Sequence, residues 1–127
     1  MVINMKLINN YCLEVKKSKF IGYFYNIENL DDVDLILDNL KKEHKKAKHY
    51  PYAYILNNNI KKSDDKEPSG TCGTPILNVL ERNNLRNHLI VIVRYFGGVK
   101  LGVGPLLRCY SKVANEVIKY NIIHIID

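Results

Sequence analysis

The sequence predicts an α/β sandwich in which helices pack on one sheet, and three observations carry that prediction. Residues Leu89-Ile90-Val91-Ile92-Val93 form an apolar run without alternation, the pattern of a central strand covered on both faces. Residues 30–44 and 106–118 place apolar side chains at helical spacing. Strand-like and helix-like segments follow one another in the order β-β-α-β, loop, α-β-α, and no repeat or linker divides the 127 residues. That makes one domain with a core of its own.

Taken in order, Tyr11-Cys12-Leu13-Glu14-Val15 and Phe20-Ile21-Gly22-Tyr23-Phe24-Tyr25 read as a hairpin, with lysines in its turn. In residues 30–44, Val33, Ile36, Leu37 and Leu40 line one helix face. Asp31, Asp32 and Asp34 come early and Lys41, Lys42 and Lys45 late, as the helix dipole favours. Tyr52-Ala53-Tyr54-Ile55-Leu56 reads as a third strand, ended by Asn57-Asn58-Asn59. Residues 61–67 are polar and read as a mobile loop. Thr74 as N-cap and Pro75 at the first helical position then open a second helix. In the last helix, which has Pro105 in its first turn, Leu106, Tyr110, Val113 and Val117 form the apolar stripe. The apolar tail, residues 122–126, is expected to pair as a strand or to dock on a neighbouring copy.

Composition excludes several classes. With 46% hydrophobic and 25% charged residues, the chain is not disordered. No apolar run reaches membrane-span length and the first residues lack signal-peptide order, so a cytoplasmic protein is expected. Cys12, Cys72 and Cys109 form no CxxC pair, and the four histidines are spread out, so neither zinc nor a disulfide framework is indicated. Cys72, in a polar loop, reads as a small filler rather than a nucleophile. The net charge is +6, and from Ser69 onward seven basic residues stand against three acidic ones. All four arginines fall in that half, where a rigid fork of donors suits phosphate or carboxylate.

Two loops concentrate the chemistry. Arg94-Tyr95-Phe96-Gly97-Gly98-Val99-Lys100-Leu101-Gly102-Val103-Gly104 joins the central strand to the last helix. Glu67-Pro68-Ser69-Gly70-Thr71-Cys72-Gly73 precedes the second helix. Glycines leave backbone N–H groups unshielded, and a helix start adds its own free N–H groups and the positive end of the dipole, so each loop could receive an anion. A purely structural turn is the competing reading, since the spacing matches neither the Walker nor the dinucleotide pattern.

The same residues resemble the IMPACT/YigZ family (the UPF0029 group), through Glu67-Pro68-Ser69-Gly70-Thr71 and the run from Arg94 to Gly102. Lys17-Ser18-Lys19-Phe20-Ile21-Gly22, His49, Ala53-Tyr54 and Arg108-Cys109-Tyr110-Ser111 extend the likeness over nearly the whole chain. The resemblance implies an α+β two-layer sandwich similar to the second domain of a small-subunit ribosomal protein, one mixed sheet with helices packed on it and a left-handed β-α-β crossover. It also implies a single domain over residues 1–127, without the accessory domains that relatives carry. In eukaryotic relatives the protein damps an amino-acid-starvation stress response, which points to translation or its regulation. Lys66 stands where the family usually has glycine, and Pro105 where a glycine is common.

Three functional readings follow. In the first, a non-enzymatic module binds RNA or another polyanion, with RNA or a ribosome-associated protein as the expected partner. Ser69, Gly70, Thr71, Gly97, Gly98, Gly102 and Gly104 then receive phosphate, and Arg94, Lys100 and Arg108 supply charge. In the second, an enzyme acts on a small phosphorylated or carboxylated substrate, with Glu67 or Asp65 as acid or base and His49 as a second proton carrier. In the third, the last helix docks a protein. No metal, cofactor or membrane is expected, and a homodimer through the apolar tail is. The two loops should meet in one cleft, with Glu67 organising it.

Overall fold

A computed structural model describes residues 6–119. The elements are β1 (Leu7–Val15), β2 (Ser18–Asn26), α1 (Leu30–Glu43), β3 (Tyr52–Leu56), β4 (Asn59–Ser63), α2 (Gly73–Arg82), β5 (His88–Tyr95) and α3 (Val103–Val117). The tail at residues 122–126, and with it the expected dimer contact, lies outside the described residues. Among those described, no helix is long and apolar enough to cross a membrane.

The five strands form one sheet in the order β1-β2-β5-β3-β4. The expected α+β architecture holds, but the expected mixed sheet is antiparallel throughout. β2 and β3 run in the same direction yet never pair, because β5 lies between them and pairs antiparallel with both. Helix α1 packs with Leu89, Val91 and Val93 of β5, whereas α2 and α3 share a core with Ile90 and Ile92. Helices thus cover both faces of β5. That is why its run shows no alternation.

Local chemistry explains most of the boundaries. The β1–β2 turn is Lys16-Lys17, both at positive φ (49° and 68°), which suits the twist of a two-residue hairpin. The side chain of Asn29 caps α1 by accepting from the Asp32 amide at 2.9 Å.

Two sequence expectations are corrected here. Residues 59–63, which run from the last residue of the expected Asn57-Asn58-Asn59 turn into the stretch from Lys61 expected to be a mobile loop, form edge strand β4, paired to β3 from Leu56↔Asn59 to Tyr52↔Ser63. Its residues are nearly all exposed, so it lacks the apolar alternation that marks a strand, and lysines blunt its free edge. Helix α2 also begins earlier than expected, at Gly73 with Cys72 in the cap position and no side chain of its own as cap, so Thr74 and Pro75 are interior to the first turn.

Candidate functional site

The last residues of β5 carry Arg94 to the end of the sheet, where its backbone pairs with the segment before β3. The Arg94 amide donates to the His49 carbonyl at 2.9 Å, and the Lys48 amide donates to the Arg94 carbonyl at 2.7 Å. This brings His49 beside Arg94. The guanidinium is buried and lies 5.4 Å from the Phe20 ring and 6.0 Å from that of Phe96.

Glu67 is its counter-charge. Arg94 Nη1 donates to both Glu67 oxygens, at 2.9 and 2.7 Å, and the Tyr110 hydroxyl donates to Oε2 at 2.6 Å. A buried pair of this kind holds only if the remaining lone pairs are satisfied, and Tyr110 supplies that from the α3 side. Burial pushes the Tyr110 phenol far above the ordinary tyrosine range, and the nearby Cys72 and Glu67 push it further, so it stays a donor. His49 Nε2 stands 3.6 Å from Glu67 Oε1. Its Nδ1 donates to the Asp65 carbonyl at 2.8 Å, because a carbonyl can only accept, and this leaves Nε2 as the nitrogen facing the cleft.

The two loops therefore meet in one cleft, as the sequence leads one to expect. Its free volume is about 290 Å³. Pro68, Phe96, Leu101 and Leu106 make an apolar wall, and Lys48, His49, Glu67, Arg94 and Lys100 make the polar side.

The amide cradle expected from the Glu67–Gly73 loop is already filled from within. Asp64 Oδ2 accepts from Gly70 N at 2.9 Å, and Oδ1 accepts from Cys72 N and Gly73 N at 3.1 and 2.9 Å. The helix start does bind an anion, and the anion is the protein's own carboxylate. Burial alone would raise the Asp64 pKa, but those three amides, with Lys62 nearby, outweigh it and hold the carboxyl below the usual aspartate value. Ser69 and Gly70 are exposed but outside the cleft lining, and Thr71 is buried with its hydroxyl donating to the Pro68 carbonyl at 2.6 Å.

The second loop is likewise more structural than expected. The Gly97 amide donates to Ser18 Oγ at 3.1 Å, and a Cβ there would fall 2.2 Å from the Lys17 carbonyl carbon. Gly97 is glycine because the hairpin turn presses against it. Gly98 has φ 92° and open space around it, Gly102 is the N-cap residue of α3 without a side-chain cap, and Gly104 is helical. Of the three expected cations, Arg94 is neutralised by Glu67, Lys100 lines the cleft, and Arg108, exposed on α3, does not.

The candidate acids and bases are constrained in the same way. Asp65 accepts from the Tyr50 amide at 2.6 Å and does not line the cleft, and both Glu67 oxygens are engaged. Burial pushes the Cys72 thiol up to about 12; the neighbouring Glu67 raises it further and the Thr71 hydroxyl bond opposes, so no thiolate nucleophile is available there. Among the described residues, no cluster of three His, Cys, Asp or Glu side chains could hold a metal.

Sequence reasoning missed Asp64, Tyr110 as a hydrogen-bond donor, Phe96 and Lys48. Tyr110 is legible as a member of an apolar stripe, and a buried tyrosine needs a partner, so a signal existed for it. None existed for Asp64, which reaches its amides only because β4 turns back beside α2.

Comparison with known proteins agrees with this architecture. The Impact N-terminal domain family matches residues 16–118. IMPACT family member YvyE of Bacillus subtilis is 40% identical over 105 residues, which are 80% of this chain and 48% of that protein. IMPACT family member YigZ of Escherichia coli is 31% identical over 111 residues, 84% of this chain and 54% of that one. A crystal structure described as that of a hypothetical protein superposes with a TM-score of 0.83 at 29% identity, covering 90% of this chain and 60% of the other. The two-domain translational regulator Yih1 shares the fold at a TM-score of 0.53 and 20% identity, over 90% of this chain and 45% of its own. The chain spans about half the length of the curated relatives it matches. With the family's domain matched over most of its residues and the Glu67 and Arg94 motifs joined in one cleft, this chain belongs to the IMPACT family.

Proposed function

We propose that this chain is a non-enzymatic module that binds single-stranded RNA or another polyanion in translation or its regulation. The observation that carries this is a set of exposed lysines at the end of the sheet where the cleft opens, two of which, Lys48 and Lys100, line it. Lys16, Lys17 and Lys19 of the first hairpin, Lys45, Lys46 and Lys48 before β3, and Lys100 are all exposed. Lys48 and Lys100 line the cleft, whereas Lys17 and Lys19 line a neighbouring hollow with Ile21 and Tyr95, at the same end of the sheet because the Lys17 turn lies against Gly97. The nearest carboxylate of the cleft, Glu67, is already matched by Arg94, so the rim's charge is not cancelled from below. Phe96, about half exposed at the cleft, supplies an aromatic face. A basic groove with an exposed ring is the usual equipment of a single-strand binder.

The link to translation rests on the family and on the shared fold of Yih1, a translational regulator by its description. Titration of a single-stranded RNA at 50 and 200 mM salt tests the binding. Affinity should fall steeply with salt, and Lys48→Ala and Lys100→Ala should each reduce the logarithmic slope by roughly one. A flat salt response argues against the reading. One observation favours protein docking as a second reading: Val99 in the loop before α3, and Val103 and Leu107 at its start, are exposed.

A further inference from the structure

The cleft is divided by depth. At its floor Arg94 is paired with Glu67, so an anion entering that far meets no net charge. The ammonium groups without a partner among the described residues, Lys48 and Lys100, belong to exposed residues at the rim. Between them the wall is apolar, with Phe96 48% exposed and Leu106 only 3%. A bare phosphate would match the rim and leave the wall unmatched.

We propose that the cleft takes up one unpaired nucleotide, with its base against Phe96, Leu101 and Leu106 and its phosphate at Lys48 and Lys100. A nucleobase has an apolar face and a polar edge, which is how this cleft is lined. The edge meets His49 Nε2, an acceptor in the neutral ring because Nδ1 is held by the Asp65 carbonyl. The volume of about 290 Å³ is at the low end of the roughly 300–1,000 Å³ of small-molecule clefts, so it suits one base and its sugar rather than a stacked pair. This rests on the polyanion-binding reading and names the part of the strand that enters the cleft. The same subsite accepts a nucleotide free or within a strand.

The test compares an RNA oligomer with an abasic oligomer of equal length, and adenosine monophosphate with inorganic phosphate as competitors. The unmodified oligomer should bind about tenfold more tightly than the abasic one, and adenosine monophosphate, but not phosphate, should compete. Leu101→Trp, which fills the cleft, should lower the unmodified oligomer to the abasic level without changing the salt slope. Phe96→Ala, at an exposed position where folding is not at stake, should do the same if the tryptophan variant misfolds. Equal, salt-dependent affinity for the two oligomers overturns base uptake and leaves the polyanion reading standing. No binding of either oligomer at low salt overturns both. Competition by the monophosphate identifies the free nucleotide as a ligand, and discrimination between oligomers without competition restricts the site to strands.

Discussion

Arg94 and Glu67, 27 residues apart in sequence, are joined by two hydrogen bonds from a single guanidinium nitrogen, and both side chains are almost wholly buried. The pair fastens the loop before α2 to the end of β5. Among the described residues Arg94 Nε finds no partner, so the guanidinium depends on Glu67 all the more.

Glu67→Gln keeps the shape but leaves the Arg94 charge buried without a counter-charge. Removing one partner of a buried ion pair destabilises by about 3–5 kcal/mol. Chemical denaturation should show a loss of that order, and RNA affinity should weaken with it, because the same loop forms the cleft wall. A variant as stable as the parent, with unchanged affinity, would show that Glu67 does not organise the site.

Asp64 has a signature in acid. Its folded pKa is depressed, so its contribution is fully present above the unfolded aspartate value, about 3.9, and is lost as pH falls through the folded value. Asp64→Asn should lower stability at neutral pH by about 1 kcal/mol, as for loss of a helix cap. It should also flatten the decline in stability below about pH 5. Part of the slope should persist, since Asp32 is depressed too, its burial being outweighed by amide bonds and Lys6.

Lys66 sits at φ 69°, a left-handed conformation that a side chain adopts at a cost. Lys66→Gly should stabilise by about 0.5 kcal/mol, the relief exceeding the added freedom of the unfolded chain. Thermal melts would detect the shift. A clear loss would mean that the lysine side chain holds the loop.

Gly97 and Gly98 are adjacent but should respond differently to alanine. At Gly97 the new Cβ meets the Lys17 and Ser18 backbone at 2.2–2.5 Å, which cannot yield without moving the hairpin. Overpacking of this kind destabilises by about 1–3 kcal/mol and should also weaken RNA binding by displacing the Lys17 turn. At Gly98 there is room, and only the positive φ is penalised, by about 1–2 kcal/mol with binding preserved. Equal effects on RNA affinity would remove Gly97's role in seating the rim.

The order of most elements was legible because hydrophobic periodicity is a local property. The run 89–93, the α1 stripe with its acidic start and basic end, and the Pro105 turn each announce themselves within a few residues. Strand β4 escaped because an edge strand exposed on both faces has no periodicity to read, and its identity comes from β3. The two glycine-bearing loops, each a helix start fed by the same sheet, also pointed to one cleft, although nothing local says that Glu67 and Arg94 touch.

Charge pairing, by contrast, was decided by topology. Counted along the chain, Arg94, Lys100 and Arg108 look like one cationic cluster; in the fold Glu67 neutralises the first and the third stands outside the cleft. The Gly70–Gly73 amides look free in sequence, and the turn after β4 delivers Asp64 to them. The sequence by itself determined the helices and every strand but β4, and which loops are rich in donors. Only the tertiary structure decided which donors remain unpaired, because a hydrogen bond or ion pair reaches about 3 Å, and the partners that fill these loops come from other elements.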